Sequence, residues 1–307
     1  MFNISLEDFA ESFGTTVEDI PDICKELIST TDFRYRKPIL ESRDAIILRV
    51  LKKIDEDKQI IGAAERKDVW EKGWEENLNN FKENKDLDHL IPKFIRNGQA
   101  IRYKQDYIIP VSDTFELDFL KVFRLWLFNK YLYNCNPIYE FGCGTGFNLT
   151  TLADLFPDKV LKGSDFVPSS VELVNQIGKT YSLNLTGFLF DMITPDTSIK
   201  LEEGSGIFTS GAMEQLASKF EDFLQYLLVQ SPKICLHIEP TLELYDENNL
   251  IDYLAMKFYT KRSYTRGFLP RLMELEAQGK VEIIKVKRLY FGSLYQEGYV
   301  IVIWRVI

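Results

Sequence analysis

The sequence is poor in the residues that mark several large classes of function. It holds four cysteines in 307 residues, Cys24, Cys135, Cys143 and Cys235, scattered without a CxxC pair or a zinc spacing. Isolated thiols of this kind suit a reducing compartment better than a disulfide-stapled secreted scaffold. Only two histidines occur, His89 and His237, so side chains that titrate near neutral pH are scarce. There is no long basic run, and 37 Lys and Arg face 46 Asp and Glu for a net charge of −9. A grip on a phosphate backbone needs clustered cations, so no nucleic-acid partner is expected. No run of about 18 apolar residues is present, so no membrane partner is expected either. The opening MFNISLEDFAESFG carries acids where a secretory signal has a basic start and an apolar centre, and a cytoplasmic location is the expectation. Repeats, low-complexity tracts and tight clusters of metal-ligating residues are lacking, so no metal is implied.

What is present is an ordinary globular composition, 45% hydrophobic, which allows a core without staples. Residues 1–112 read as a mostly helical cap. Leu6, Phe9, Ala10 and Phe13 recur at helical spacing, as do Ile46, Ile47, Val50, Leu51 and Ile54, then Trp70, Trp74, Leu78 and Phe81. AIRYKQDYIIPVS within it reads as a strand pair or an extended loop. Residues 113–307 read as one α/β domain. FELDFLKVFRLWLFNKYLYN is a helix apolar on so many sides that both flanks must be covered. From Pro137, short apolar runs alternate with amphipathic helices, a pattern that predicts a mostly parallel sheet with helices on both faces. One of these helices carries Ser169 and Glu172 at capping-box spacing. KVEIIKVKRLYF and GYVIVIWRV have no room for a helix between them and should pair as an antiparallel hairpin at one edge.

The stretch PIYEFGCGTGFNLTTLADLFPD, from Pro137, places Gly142, Gly144 and Gly146 at alternate positions between a strand and a helix. Ligands of parallel sheets bind beyond the carboxyl ends of the strands, where such a loop meets its helix. Glycine lets the chain turn tightly and lets a ligand approach the backbone. The nicotinamide fingerprint needs its third glycine one residue later. Glu140, just ahead of the loop, repels a pyrophosphate and attracts an ammonium, so a zwitterionic aminoacyl head fits better than a phosphate.

YEFGCGTG resembles the first motif of class I S-adenosylmethionine-dependent methyltransferases, acid-x-G-x-G-x-G. LKGSDFVPSS, FLFDM and IFTSGAMEQL resemble the segments that follow in that family, in the same order, and the likeness covers residues 136–307. The resemblance implies a Rossmann-like sheet and S-adenosylmethionine as cofactor. It implies contacts to the cofactor from Glu140, Gly142, Cys143, Gly144, Gly146 and Asn148. Asp165 and Phe166 would lie at its ribose, Asp191 and Met192 at its adenine, and Ser210 and Gly211 along its methionine part. The closing segment also resembles the tails of bacterial sugar and small-molecule O-methyltransferases. Many members carry Glu-His where this chain has Glu214-Gln215, and the N/D-P-P-Y motif of adenine and amide N-methyltransferases is missing.

Transfer to a hydroxyl needs a base. Glu239, His237 and Glu214 are the candidates, since strand alternation puts His237 and Glu239 on one face near the mouth. His89 reads as a surface residue. Arg102, Tyr103 and Tyr107 either touch the cofactor carboxylate or close a strand pair. Lys261, Arg262, Tyr264 and Arg266 either face an anionic acceptor, such as a nucleotide sugar, or form a solvated face. The expected activity is methyl transfer to a hydroxyl of a sugar or other small molecule. N-methylation of a small amine or peptide, a non-catalytic cofactor-binding subunit and a nicotinamide oxidoreductase stay open at this point. Oligomeric state is open too.

Overall fold

The computed structural model describes residues 1–59 and 66–307. Its centre is a seven-stranded sheet of β1 (Ile138–Phe141), β2 (Leu161–Asp165), β3 (Leu185–Leu189), β4 (Gly206–Ser210), β5 (Ile234–Ile238), β6 (Val281–Arg288) and β7 (Val300–Val306). The spatial order is β6-β7-β5-β4-β1-β2-β3. The first five strands are parallel, and β7 runs antiparallel to both β5 and β6. This is the α/β architecture expected from the sequence, including the antiparallel pair at one edge.

Helices α1 (Leu6–Phe13), α2 (Asp22–Thr30), α3 (Leu40–Glu56) and α4 (Arg66–Asn84) precede the sheet. Helix α5 (Phe115–Leu132) leads into β1, and α6 (Phe147–Leu155), α7 (Pro168–Tyr181), α8 (Glu221–Gln230), α9 (Leu250–Arg262) and α10 (Phe268–Ala277) connect successive strands. Successive strand residues point to opposite faces, and both faces are apolar. Ile138, Phe208, Leu236 and Ile301 pack with α5, α6 and α7. Phe141, Ile207, Cys235 and Trp304 pack with α8 and α10. Helix α5 is buried nearly all round, as its wrapped apolar pattern requires, and Phe119 stacks on Phe291 with ring centroids 3.6 Å apart. All four cysteines are buried and unpaired.

The first 112 residues hold short strands as well as helices. Residues 2–3, 34–36, 106–110 and 101–103 pair in that order, and Phe291–Gly292, from the β6–β7 connection, adds the fifth strand. The strand-pair reading of residues 101–110 is therefore the observed one. Behind it lies a buried ionic cluster. Arg288 donates to Asp252 at 2.5 and 2.7 Å and to Glu297 at 2.6 and 3.0 Å, while Arg102 lies 3.6 Å from Asp252. It ties the small sheet to α9 and the hairpin. Among the described residues, no helix is long and apolar enough to cross a membrane.

Candidate functional site

The three glycines form the loop between β1 and α6, all in the left-handed region, with φ of +74°, +52° and +76° for Gly142, Gly144 and Gly146. A Cβ on Gly142 would stand 2.3 Å from the Ala212 Cβ, so only glycine lets this loop lie against the end of β4. The loop is pinned to β2, because the Gly142 and Cys143 amides both donate to the Ser164 carbonyl at 2.8 Å. Asp165 ends β2 and accepts from the Gly144 amide at 3.0 Å and the Val167 amide at 3.3 Å. Burial pushes its carboxyl up to about 6, against these hydrogen bonds.

Glu140 is 1% exposed. One oxygen accepts from the Asn148 amide group at 2.7 Å, and the other has no partner. Burial lifts its carboxyl to about 8, although Asn148 and Arg124 both favour the ionised form. Arg124 reaches over from α5, its guanidinium 3.8 Å from the Phe147 ring centroid and donating to the Phe147 carbonyl and Asn148. Sequence reasoning missed Arg124. The signal was there, since a single arginine in so apolar a helix must have a buried partner.

The remaining expected cofactor residues surround this loop. Cys143 is buried, its thiol 3.7 Å from the Ser170 hydroxyl and pushed well up by burial. Phe166 is half-buried beyond β2. Met192 packs beside Gly142. Asp191 accepts from the Ile193 amide and the Thr194 hydroxyl, so both its oxygens serve its own turn. Ser210 and the exposed Gly211 close β4. Ser169 does not make the expected capping box. Pro168 already opens α7 with Val167 as its cap, and the Ser169 hydroxyl donates instead to the Glu71 carbonyl.

The three candidate bases part company. His237 is fully buried, its Nδ1 2.9 Å from the Thr209 hydroxyl, and burial lowers its pKa to about 3. Its ring lies edge-on against Phe268. Glu239, 6% exposed, accepts from the Ala212, Met213 and Glu214 amides at 3.1–3.2 Å. Those contacts tie it to the turn after β4. Glu214 sits on that turn, held by Gln215 at 2.7 Å and Gln296 at 3.3 Å, and burial together with Glu239 raises it to about 8. Beside these groups is a cavity of about 20 Å³, room for one water molecule, bordered by Glu214, His237, Glu239 and Thr265.

Glu116 and Tyr299 complete the acidic side. Glu116, in the first turn of α5, has its carboxyl raised to about 7 by burial and lies 3.5 Å from the Tyr299 hydroxyl. Beside Glu214, the amide oxygens of Gln215 and Gln296 and the Nε2 of His237 have no partner among the described residues, and elsewhere the same holds for one oxygen each of Glu116 and Glu140. Of the cations weighed for an anionic acceptor, Arg262 binds Asp57 at 2.8 and 2.9 Å, Arg266 donates to Thr260, and Lys261 is exposed; Arg102, weighed for the cofactor carboxylate, lies in the buried ionic cluster. His89 is exposed, as expected. Among the described residues, no group of His, Cys, Asp and Glu could hold a metal ion.

The chain matches no protein-family model and no curated protein. Solved structures are similar to it in backbone shape. The methyltransferase PaMTH1 of Podospora anserina, determined with S-adenosylhomocysteine, aligns at 10% identity over 89% of this chain and 98% of its own, with a TM-score of 0.45. Geranyl diphosphate C-methyltransferase of Streptomyces coelicolor A3(2) aligns at 9% identity over 76% and 96%, with a TM-score of 0.45. The [4+2]-cyclase SpnF aligns at 12% identity over 60% and 80%, with a TM-score of 0.46.

Proposed function

We propose that the protein is an S-adenosylmethionine-dependent methyltransferase acting on a hydroxyl of a small molecule, such as a sugar. The observation that carries the reading is Glu140: a buried carboxylate with one oxygen fixed by Asn148 and the other unpaired, at the root of a loop of three left-handed glycines. An ammonium group satisfies that oxygen, and a phosphate does not. The backbone of Gly142–Gly146 with Asp165 and Phe166 would hold the ribose side, and Met192 the base. When bound, S-adenosylmethionine supplies an electrophilic methyl group.

The chain's own part is to align the acceptor and take its proton. Glu214 stands on the turn after β4, and its carboxyl near the ambient range suits a general base. Glu239 holds that turn through three amides, and Gln296 and Gln215 aim the Glu214 carboxylate. Alignment of this kind supplies up to about 7–11 kcal/mol in well-oriented reactions. The unpaired amide oxygens of Gln215 and Gln296 beside Glu214 favour a hydrogen-bond donor over an anion as the second substrate. That supports N-methylation of an amine as the second reading, and it weighs against a nucleotide sugar.

Calorimetry with S-adenosylhomocysteine and, in parallel, a nicotinamide dinucleotide tests the cofactor. Turnover of S-adenosylmethionine with panels of hydroxyl and amine compounds tests the reaction. Cofactor binding without turnover across both panels points to a non-catalytic subunit. Glu214→Gln should lower kcat at least 100-fold with little change in cofactor affinity; an unaltered kcat removes Glu214 as the base.

A further inference from the structure

Helix α4 lies across the cofactor loop. The ring of Trp74 stands where a side chain on Gly144 would point, with its Cζ2 and Cη2 atoms 3.1 and 3.2 Å from that Cβ position. Trp70 stacks on Trp74 with centroids 5.4 Å apart. The same segment is fastened to the loop and to α7 at further points. The Thr145 hydroxyl donates to the Leu90 carbonyl at 2.6 Å. Ser169 donates through its hydroxyl to the Glu71 carbonyl at 3.2 Å and through its amide to the Glu71 carboxylate at 3.4 Å. Tyr181 donates to the Lys85 carbonyl at 2.5 Å. Asp165, whose oxygens a ribose must reach, is 4% exposed under this arrangement.

Besides permitting the left-handed turn, a glycine at position 144 leaves side-chain space through which a ligand can approach the backbone. The Trp74 indole fills that space, and two bodies cannot share it. From this geometry, and resting on the cofactor reading above, we propose that α4 is a gate that competes with S-adenosylmethionine, and that Trp74 must leave Gly144 for the cofactor to enter. The cofactor then binds with its intrinsic affinity reduced by the fraction of molecules in which the indole is away. The C-terminal half of α4 is anchored by Leu78 and Phe81, buried in the core with Phe81 against Tyr181, whereas the Trp74 indole is half-buried, so the movement required is of the Trp70–Trp74 end of the helix and leaves the central sheet closed.

The test is the affinity and association rate of S-adenosylhomocysteine for wild type, Trp74→Ala and Ser169→Ala, by calorimetry and stopped-flow fluorescence. Trp74→Ala should bind about tenfold tighter and faster. Ser169→Ala, which loosens α4 without touching the indole, should shift the same way by a smaller factor. Hydrogen exchange in the α4 amides of the wild type should speed up on binding. Equal or weaker binding by both variants overturns the gate while wild-type binding leaves the cofactor reading standing. Failure of all three proteins to bind at millimolar ligand overturns both.

Discussion

Glu140→Gln separates the proposed ammonium contact from every other contribution to the proposed cofactor binding. The substitution keeps shape and keeps an oxygen for Asn148, so the α6 start should stay in place. A carboxyl raised to about 8 is ionised in roughly 3% of molecules at pH 6.5 and in about half at pH 8. An ammonium selects the ionised form. Wild-type affinity for S-adenosylhomocysteine should therefore climb roughly 15-fold between these pH values. Asp165, raised to about 6, is already mostly ionised over this window and adds little. At pH 7 the wild-type protein should release close to one proton on binding, visible as a dependence of the calorimetric heat on buffer ionisation. Glu140→Gln should bind more weakly at pH 8 by about 1.5–3 kcal/mol, the worth of a charged hydrogen bond, with a flat pH profile. A wild-type profile that is flat, or a slope that survives in Glu140→Gln, refutes the assignment; a surviving slope would point to Glu214, raised to a similar value.

Two further outcomes concern stability. Arg288→Ala leaves the buried Asp252 and Glu297 with the more distant Arg102 as their cation, and should cost about 3–5 kcal/mol in urea unfolding; a loss under 1 kcal/mol would show the cluster to be solvated. Glu116, Glu140, Glu214 and Glu239 all have folded pKa values above the ordinary carboxyl range, so the folded state holds protons that the unfolded chain gives up. Their contribution is greatest below pH 4.5 and is lost as pH rises through 7 to 8. The protein without added ligand should therefore lose at least about 2 kcal/mol between pH 5.5 and 8, and a melting temperature constant across that span contradicts the burial of these groups.

The parts legible from the sequence are those set by local rules. Period-two and period-3.6 patterning marked the strand–helix alternation and the closing antiparallel pair, and φ-permissive glycines after a short strand marked the loop. Glu140 was legible for the same reason, as a charge in an otherwise apolar strand. The roles of Glu239 and His237 were not. Alternation put both on one face, but which backbone amides would meet the Glu239 carboxylate depended on how the turn at 212–214 came to lie across the end of β5. Arg102, weighed for a cofactor carboxylate or a strand pair, and Arg262, weighed for an anionic acceptor or a solvated face, are committed to Asp252 and Asp57, partners 150 and 205 positions away.

Sequence alone thus determined the class of sheet and the carboxylate-led glycine loop, because backbone freedom and hydrophobic period act within a few residues. Tertiary structure decided which carboxylates stay unpaired and what lies over the loop. Those depend on contacts between segments far apart in the chain, Trp74 against Gly144 above all, and no local pattern encodes where a distant indole comes to rest.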